Sequence, residues 1–121
     1  MVGIGIDAVE IDRFRAVLSR RPRIARRLFT DGERSYGARY QDPAPRLAAR
    51  FAAKEAVMKA LGVGLGAFPF HDVEVVSTPS GAPCLVLQGE AAALAARRGV
   101  AAWRLSLTHT ATLAEAVAVA L

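Results

Sequence analysis

Apolar and polar positions along this chain change period several times, and each change marks an element. In "GIGIDAVEI" Ile4 and Ile6 alternate with Gly3, Gly5 and Asp7, which predicts a strand over residues 2–9. Ile11, Phe14, Val17 and Leu18 then recur at helical spacing over residues 10–18, and Pro22 ends that helix. Residues 24–28 read as a further helical turn. Thr30 stands three residues before Glu33, the spacing of a capping box, so another helix starts there. After the loop "YQDPAP", Pro45 is placed to open a long helix that runs to Gly62. "GVGLGAFPF" is a glycine-punctuated connection. "DVEVV", "TPSGAP" and "CLVLQ" then read as strand, turn and strand of an antiparallel hairpin. A helix over residues 90–98 stops at Gly99. "AAWRLSLTHT" and "LAEAVAVAL" predict two closing strands joined around Ala111, although the alanines of the second also suit a helix. The whole is one α+β domain, residues 1–121, with a mainly antiparallel sheet and helices packed on one side.

With 121 residues, 53% of them hydrophobic, the chain can build a core without disulfides or a structural metal. It has no apolar run of transmembrane length, and "MVGIGIDAVEIDRF" lacks the basic and apolar order of a signal peptide. The expectation is a cytoplasmic protein with no membrane partner. Cys84 has no second thiol and reads as a small hydrophobe. The net charge is +5, and of the 16 basic residues all but Lys54 and Lys59 are Arg. A joint excess of Arg and Ala can reflect coding composition, but clustering survives that discount. Arg13, Arg15, Arg20, Arg21, Arg23, Arg26 and Arg27 lie together, which fits either an acidic partner or a solvated helix face.

On a helical wheel of "PRLAARFAAKEAVMKALG", Leu47, Phe51, Met58 and Leu61 form one apolar stripe. Arg46, Arg50 and Lys54 lie on one flank of it. Glu55 and Lys59 lie on the other, among Ala48, Ala52 and Ala56. The pair could be a surface contact of a few tenths of a kcal/mol. Alternatively, Glu55 is a ligand for a hard cation and Lys59 a cation poised for an anion, with the alanines leaving room for the ligand. The first strand bears on that choice. Gly3, Gly5 and Asp7 share a face that another backbone or a ligand can approach closely. Asp7 also has the capping spacing to Glu10, a reading that leaves both glycines unexplained. Asp7 and Glu55 with substrate phosphate oxygens would suit Mg²⁺. His109 shares a strand face with Trp103, Leu105 and Leu107, and reads as a hydrogen-bonded core residue or a ligand contact. His71 has no companions, and "SGAP" is most simply a turn.

These stretches, in their order, resemble the holo-acyl-carrier-protein synthases, small bacterial members of the 4′-phosphopantetheinyl transferase superfamily. "GIGIDAVEIDRF" is similar to the family's G-[IV]-D-x-V-E-[IV]-x-R, and "FTDGERSYG" to F-[TS]-x-x-E-x-x-Y. "RFAAKEAVMKALG" is similar to R-F-A-A-K-E-A-x-x-K-A-L-G, "SGAPCL" to the G-x-P turn, and "RLSLTHT" to S-[IL]-[ST]-H. The resemblance implies transfer of phosphopantetheine from coenzyme A to a serine of an acidic apo-acyl carrier protein. Asp7 and Glu55 match the family's Mg²⁺ ligands, and Lys59 the lysine that stabilises, and can protonate, the departing 3′,5′-ADP. Arg50 and Lys54 match basic positions near the coenzyme A phosphates. The resemblance further implies a homotrimer in which Gly81, Pro83 and His109 complete the coenzyme A site from a neighbouring subunit. Arg13 and the arginines after it, including Arg20, Arg23 and Arg26, match the helix that docks the carrier. Glu55 or a metal-bound water takes the serine proton, and the sequence does not choose between them. Ala82 departs from the family, where that position is often basic, and "GLGAFPFHD" replaces a connection that more usually contains tryptophan. The rival reading, a basic nucleic-acid-binding module, lacks interleaved aromatics and leaves Asp7 with Glu55 unexplained, so no nucleic-acid partner is expected.

Overall fold

Two glycines at the start of the chain set how closely its sheet and its main helix approach. The computed structural model describes all residues, Met1–Leu121. Strand β1 (Gly3–Glu10) is followed by helices α1 (Ile11–Arg20), α2 (Ile24–Leu28), α3 (Asp31–Gly37) and α4 (Ala44–Ala60). A 3₁₀ turn at Phe70–Asp72 leads into β2 (Val73–Ser77) and β3 (Pro83–Leu87), then α5 (Gly89–Arg97), β4 (Trp103–His109) and β5 (Leu113–Ala120). β5 is the middle strand of an antiparallel sheet ordered β1-β5-β4, and β2 and β3 form a separate antiparallel hairpin.

A Cβ built on Gly5 would stand 1.9 Å from the Ala56 carbonyl oxygen, and one on Gly3 at 1.9 Å from that of Ala60. The backbones of β1 and α4 are therefore in direct contact. β5 meets the same helix with Ala114, Ala116, Ala118 and Ala120, all buried, and alternates them with less buried Leu113, Glu115, Val117 and Val119. That period of two is what makes the alanine-rich segment a strand rather than a helix. The alanines of α4 serve the same approach. Ala48, Ala52 and Ala56 are fully buried in the core, so the room they leave is filled by protein and not by a ligand.

α4 contributes to both hydrophobic cores. One joins it to the hairpin and α5 through Val57, Met58, Leu61, Val73, Val75 and Ala91. The other joins it to α1 and α2 through Ile11, Phe14, Leu28, Phe29 and Leu47. The capping box forms as the sequence predicts: the Thr30 hydroxyl accepts from the Glu33 N–H at 3.2 Å, and the Glu33 carboxylate accepts from the Thr30 N–H at 3.0 Å. The sheet's outer face stays bare. Ile4 and Ile6 are 58% and 60% exposed there, opposite Val119 and Val117. No helix is long and apolar enough to cross a membrane.

Gly5→Ala should cost about 3 kcal/mol in urea unfolding, because a helix carbonyl cannot yield as a flexible side chain does. Gly64→Ala, with nothing within 4 Å of the added carbon, should stay within about 0.5 kcal/mol of wild type.

Candidate active site

β1 carries Asp7 two residues beyond Gly5, on the face that α4 covers. Side chains on a helix lean toward its N-terminus, so Lys59 leans back over the turn that holds Glu55. Its ammonium donates to the Ile6 carbonyl at 2.9 Å and to the Asp7 carboxylate at 3.2 Å. Lys59 thus pairs across to the strand with Asp7, not along its own helix with Glu55. Nor does Asp7 cap α1. It lies within β1 opposite Ala116, and the N-cap residue is Glu10, which makes no side-chain bond.

Asp7 and Glu55 line one cleft of about 500 Å³. Burial raises the Glu55 pKa above its ordinary value, the Asp7 charge raises it further, and Lys59 works against both. Two carboxylates in a half-buried cleft with one exposed ammonium make a site that a cation would relieve. No cluster of three or more His, Cys, Asp or Glu is present, so the chain forms no cage. Two carboxylates with the remaining positions left to water and phosphate suit Mg²⁺. Away from the acids the walls are carbon. Phe14, Phe51 and Phe70 stack in series at 5.5 and 5.4 Å between ring centres, with Ile24 and Leu28 beyond, and Arg13 stands at the same cleft.

Arg50, Gly81, Pro83 and His109 meet in a second cleft of about 300 Å³ that shares no lining residue with the first. Arg50 is only 4% exposed, its guanidinium lies 3.8 Å over the Tyr36 ring, and its Nε has no hydrogen-bond partner. Gly81, at φ +89°, forms the hairpin tip where a side chain would be strained. His109 stands exposed at the end of β4 without a hydrogen bond, so it is not the bonded core histidine that its strand face allowed.

Lys54 does not lie near a phosphate site, contrary to what its match to the family implied. It is fully buried rather than part of a surface stripe, and its ammonium donates to Glu33 at 2.7 Å, to the Phe70 carbonyl at 3.3 Å and to the Val73 carbonyl. Burial lowers its pKa while Glu33 opposes the fall. Glu33 also accepts from the Val75 N–H at 2.9 Å. Lys54 therefore ties α4 to α3 and β2, and no phosphate reaches it. The arginine cluster divides too. Arg15 is taken by Asp12 and Asp42, while Arg13, Arg20, Arg21, Arg23, Arg26 and Arg27 are exposed and form no ion pair. Arg20, Arg21, Arg23 and Arg27 line a further cleft of about 370 Å³. Tyr36 and Tyr40 of the second cleft were not singled out by sequence, and Arg46 was placed on the basic flank of the long helix without a role of its own. The one available signal was a shared spacing of four, Tyr36 with Tyr40 and Arg46 with Arg50.

The raised Glu55 pKa fixes a sign. A carboxyl with a raised folded pKa costs stability above its ordinary value, and the cost disappears as pH falls below that value. In chelator, Glu55→Gln should melt above wild type at pH 7. The gap should close on acidification through the raised value to the ordinary glutamate range, which thermal melts from pH 4 to 8 would follow.

The profile of the 4′-phosphopantetheinyl transferase superfamily matches residues 3–118. A holo-[acyl-carrier-protein] synthase from Frankia casuarinae is 53% identical over 99% of this chain and 97% of its own. The crystal structure of the holo-[acyl-carrier-protein] synthase of Neisseria meningitidis superposes with a TM-score of 0.91 at 28% identity, covering 100% of this chain and 98% of that one. The Helicobacter pylori enzyme, solved in complex with coenzyme A, gives 0.86 at 31% identity over 98% and 99%. With the acids of β1 and α4 converging as they do, the chain belongs to the holo-acyl-carrier-protein synthases of the 4′-phosphopantetheinyl transferase superfamily.

Proposed function

We propose that this chain moves the 4′-phosphopantetheine arm of coenzyme A onto a serine hydroxyl of an acidic apo-acyl carrier protein, with Mg²⁺, as a homotrimer. The observation that carries the reading is the meeting of Asp7 and Glu55 at one cleft, with the Lys59 ammonium bonded to Asp7. The names of its relatives and the coenzyme A complex of the Helicobacter pylori enzyme support it.

The serine hydroxyl gives up its proton to Glu55 or to water as its oxygen attacks the phosphorus on the pantetheine side of the pyrophosphate, the bond to the second phosphate breaks, and 3′,5′-ADP leaves. Asp7 and Glu55 would hold the magnesium, which supplies charge neutralisation at the pyrophosphate oxygens. Lys59, anchored beside Asp7 yet more than half exposed, presents its ammonium to the leaving phosphate. Arg50, Gly81, Pro83 and His109 bind the nucleotide end, and the unpaired guanidinium of Arg50 draws its charge there. Arg13, Arg20, Arg23 and Arg26 dock the carrier, because none has a carboxylate partner within the chain and all are exposed.

Two features support the trimer. The acid cleft and the Arg50 cleft of one chain have no residue in common, so a second copy can bring one against the other. The bare sheet face of Ile4, Ile6, Val117 and Val119 is an apolar surface for such contact.

Asp7→Ala and Glu55→Ala should each lower the transfer rate by at least about a hundredfold while keeping the native circular dichroism spectrum, with intact mass of the carrier as readout. A wild-type rate in either variant would remove the metal assignment. Chains carrying Asp7→Ala and chains carrying Arg50→Ala, inactive alone, should recover transfer after refolding together. No recovery in mixed trimers would place the whole site within one subunit.

A further inference from the structure

The Arg50 cleft holds more positive charge than its assigned residues account for. Arg46 stands one helical turn before Arg50 on α4, and its guanidinium lies 3.6 Å from the centre of the Tyr40 ring. Arg50 is laid in the same manner on Tyr36. The two phenols face each other, hydroxyl to hydroxyl at 3.4 Å, so the two stacked pairs form one platform. No Asp or Glu lines this cleft, and neither arginine forms an ion pair. Tyr36 responds to this surplus. Its pKa is lowered first by the hydrogen bond with Tyr40 and further by the charges of Arg50 and Arg46, against the effect of burial.

Two guanidiniums laid on rings, neither of them held by a carboxylate, match a tetrahedral dianion. Stacking on a ring fixes a guanidinium without using its donors, whereas a carboxylate partner would consume them. In the proposed reaction the pyrophosphate belongs to the Asp7–Glu55 side. The remaining phosphate of coenzyme A is the monoester on the 3′-oxygen of its ribose, which carries the dianionic charge this cleft lacks. We propose that Arg46, supported by Tyr40, is the residue by which this chain selects the 3′-phosphorylated form of coenzyme A over the form without that phosphate. The inference rests on the transferase reading and adds a specificity residue to it.

The test compares coenzyme A with 3′-dephospho-coenzyme A as donors to an apo-acyl carrier protein, in the wild-type chain and in Arg46→Gln. Loss of one charge-assisted contact should raise KM for coenzyme A about tenfold to a hundredfold, with kcat kept. KM for the dephospho donor should change by less than about twofold, so that the preference collapses. Tyr40→Phe keeps the ring beneath Arg46 and should retain more of the preference than Tyr40→Leu. Tyr40→Leu removes the platform and should lose part of the same preference. Equal losses on both donors in Arg46→Gln, or an unchanged preference, would overturn the inference alone. A wild-type chain that transfers from neither donor would overturn the transferase reading and this inference with it.

Discussion

The contact between the backbone of β1 and the backbone of α4 governs the rest of this molecule. Gly3 and Gly5 lie against the carbonyls of Ala60 and Ala56 with no room for a single carbon between them. That approach brings the end of β1 under the helix, so Asp7 emerges where Lys59 can reach it. Any larger residue at Gly5 would lift the helix and move Glu55 and Lys59 away from Asp7 together. Close packing and site assembly are here the same event. The alternating alanines of β5 extend the contact across the sheet, since small side chains are the only ones that fit under a helix at this distance.

α4 also divides the charges of the molecule, because it is packed on nearly every side. Its acid opens to one cleft, its exposed lysine reaches the Asp7 of that cleft, its two stacked arginines open to another, and its buried lysine opens to neither. Each charge is handled differently. Lys54 is desolvated and satisfied by Glu33 and two carbonyls, which makes it a tie between elements. Arg50 is desolvated and left without a carboxylate, which leaves its charge available. Glu55 and Asp7 repel each other across a half-buried space. Burial alone does not separate these cases. The presence or absence of a partner does.

Much of the order of elements was legible because each carries a local signal. Thr30 with Glu33 makes the capping box it spells, Gly99 ends α5, and the glycine–isoleucine alternation makes β1. The convergence of Asp7 with Glu55 was legible too, since a period of two and a period of 3.6 each name the face a residue occupies. Lys54 was misread for a physical reason. A wheel assigns faces to one helix in isolation, and α3 and β2 cover the flank that looked solvated. The platform of Tyr36, Tyr40, Arg46 and Arg50 stayed hidden because its members come from α3, the loop after it and α4, and no local rule joins a ring to a guanidinium six or fourteen residues away.

By itself the sequence determined the element types, the pairing of glycines with an acid on one strand face, and the chemistry that two carboxylates and a lysine can offer. These depend on periods and residue types within a few turns of chain. Only the tertiary structure decided which charges are free. Lys59 found Asp7 rather than Glu55, Lys54 found Glu33, and Arg50 found a ring instead of an acid. A charge's role depends on its nearest neighbours in space, and here those neighbours lie up to 53 positions distant along the chain.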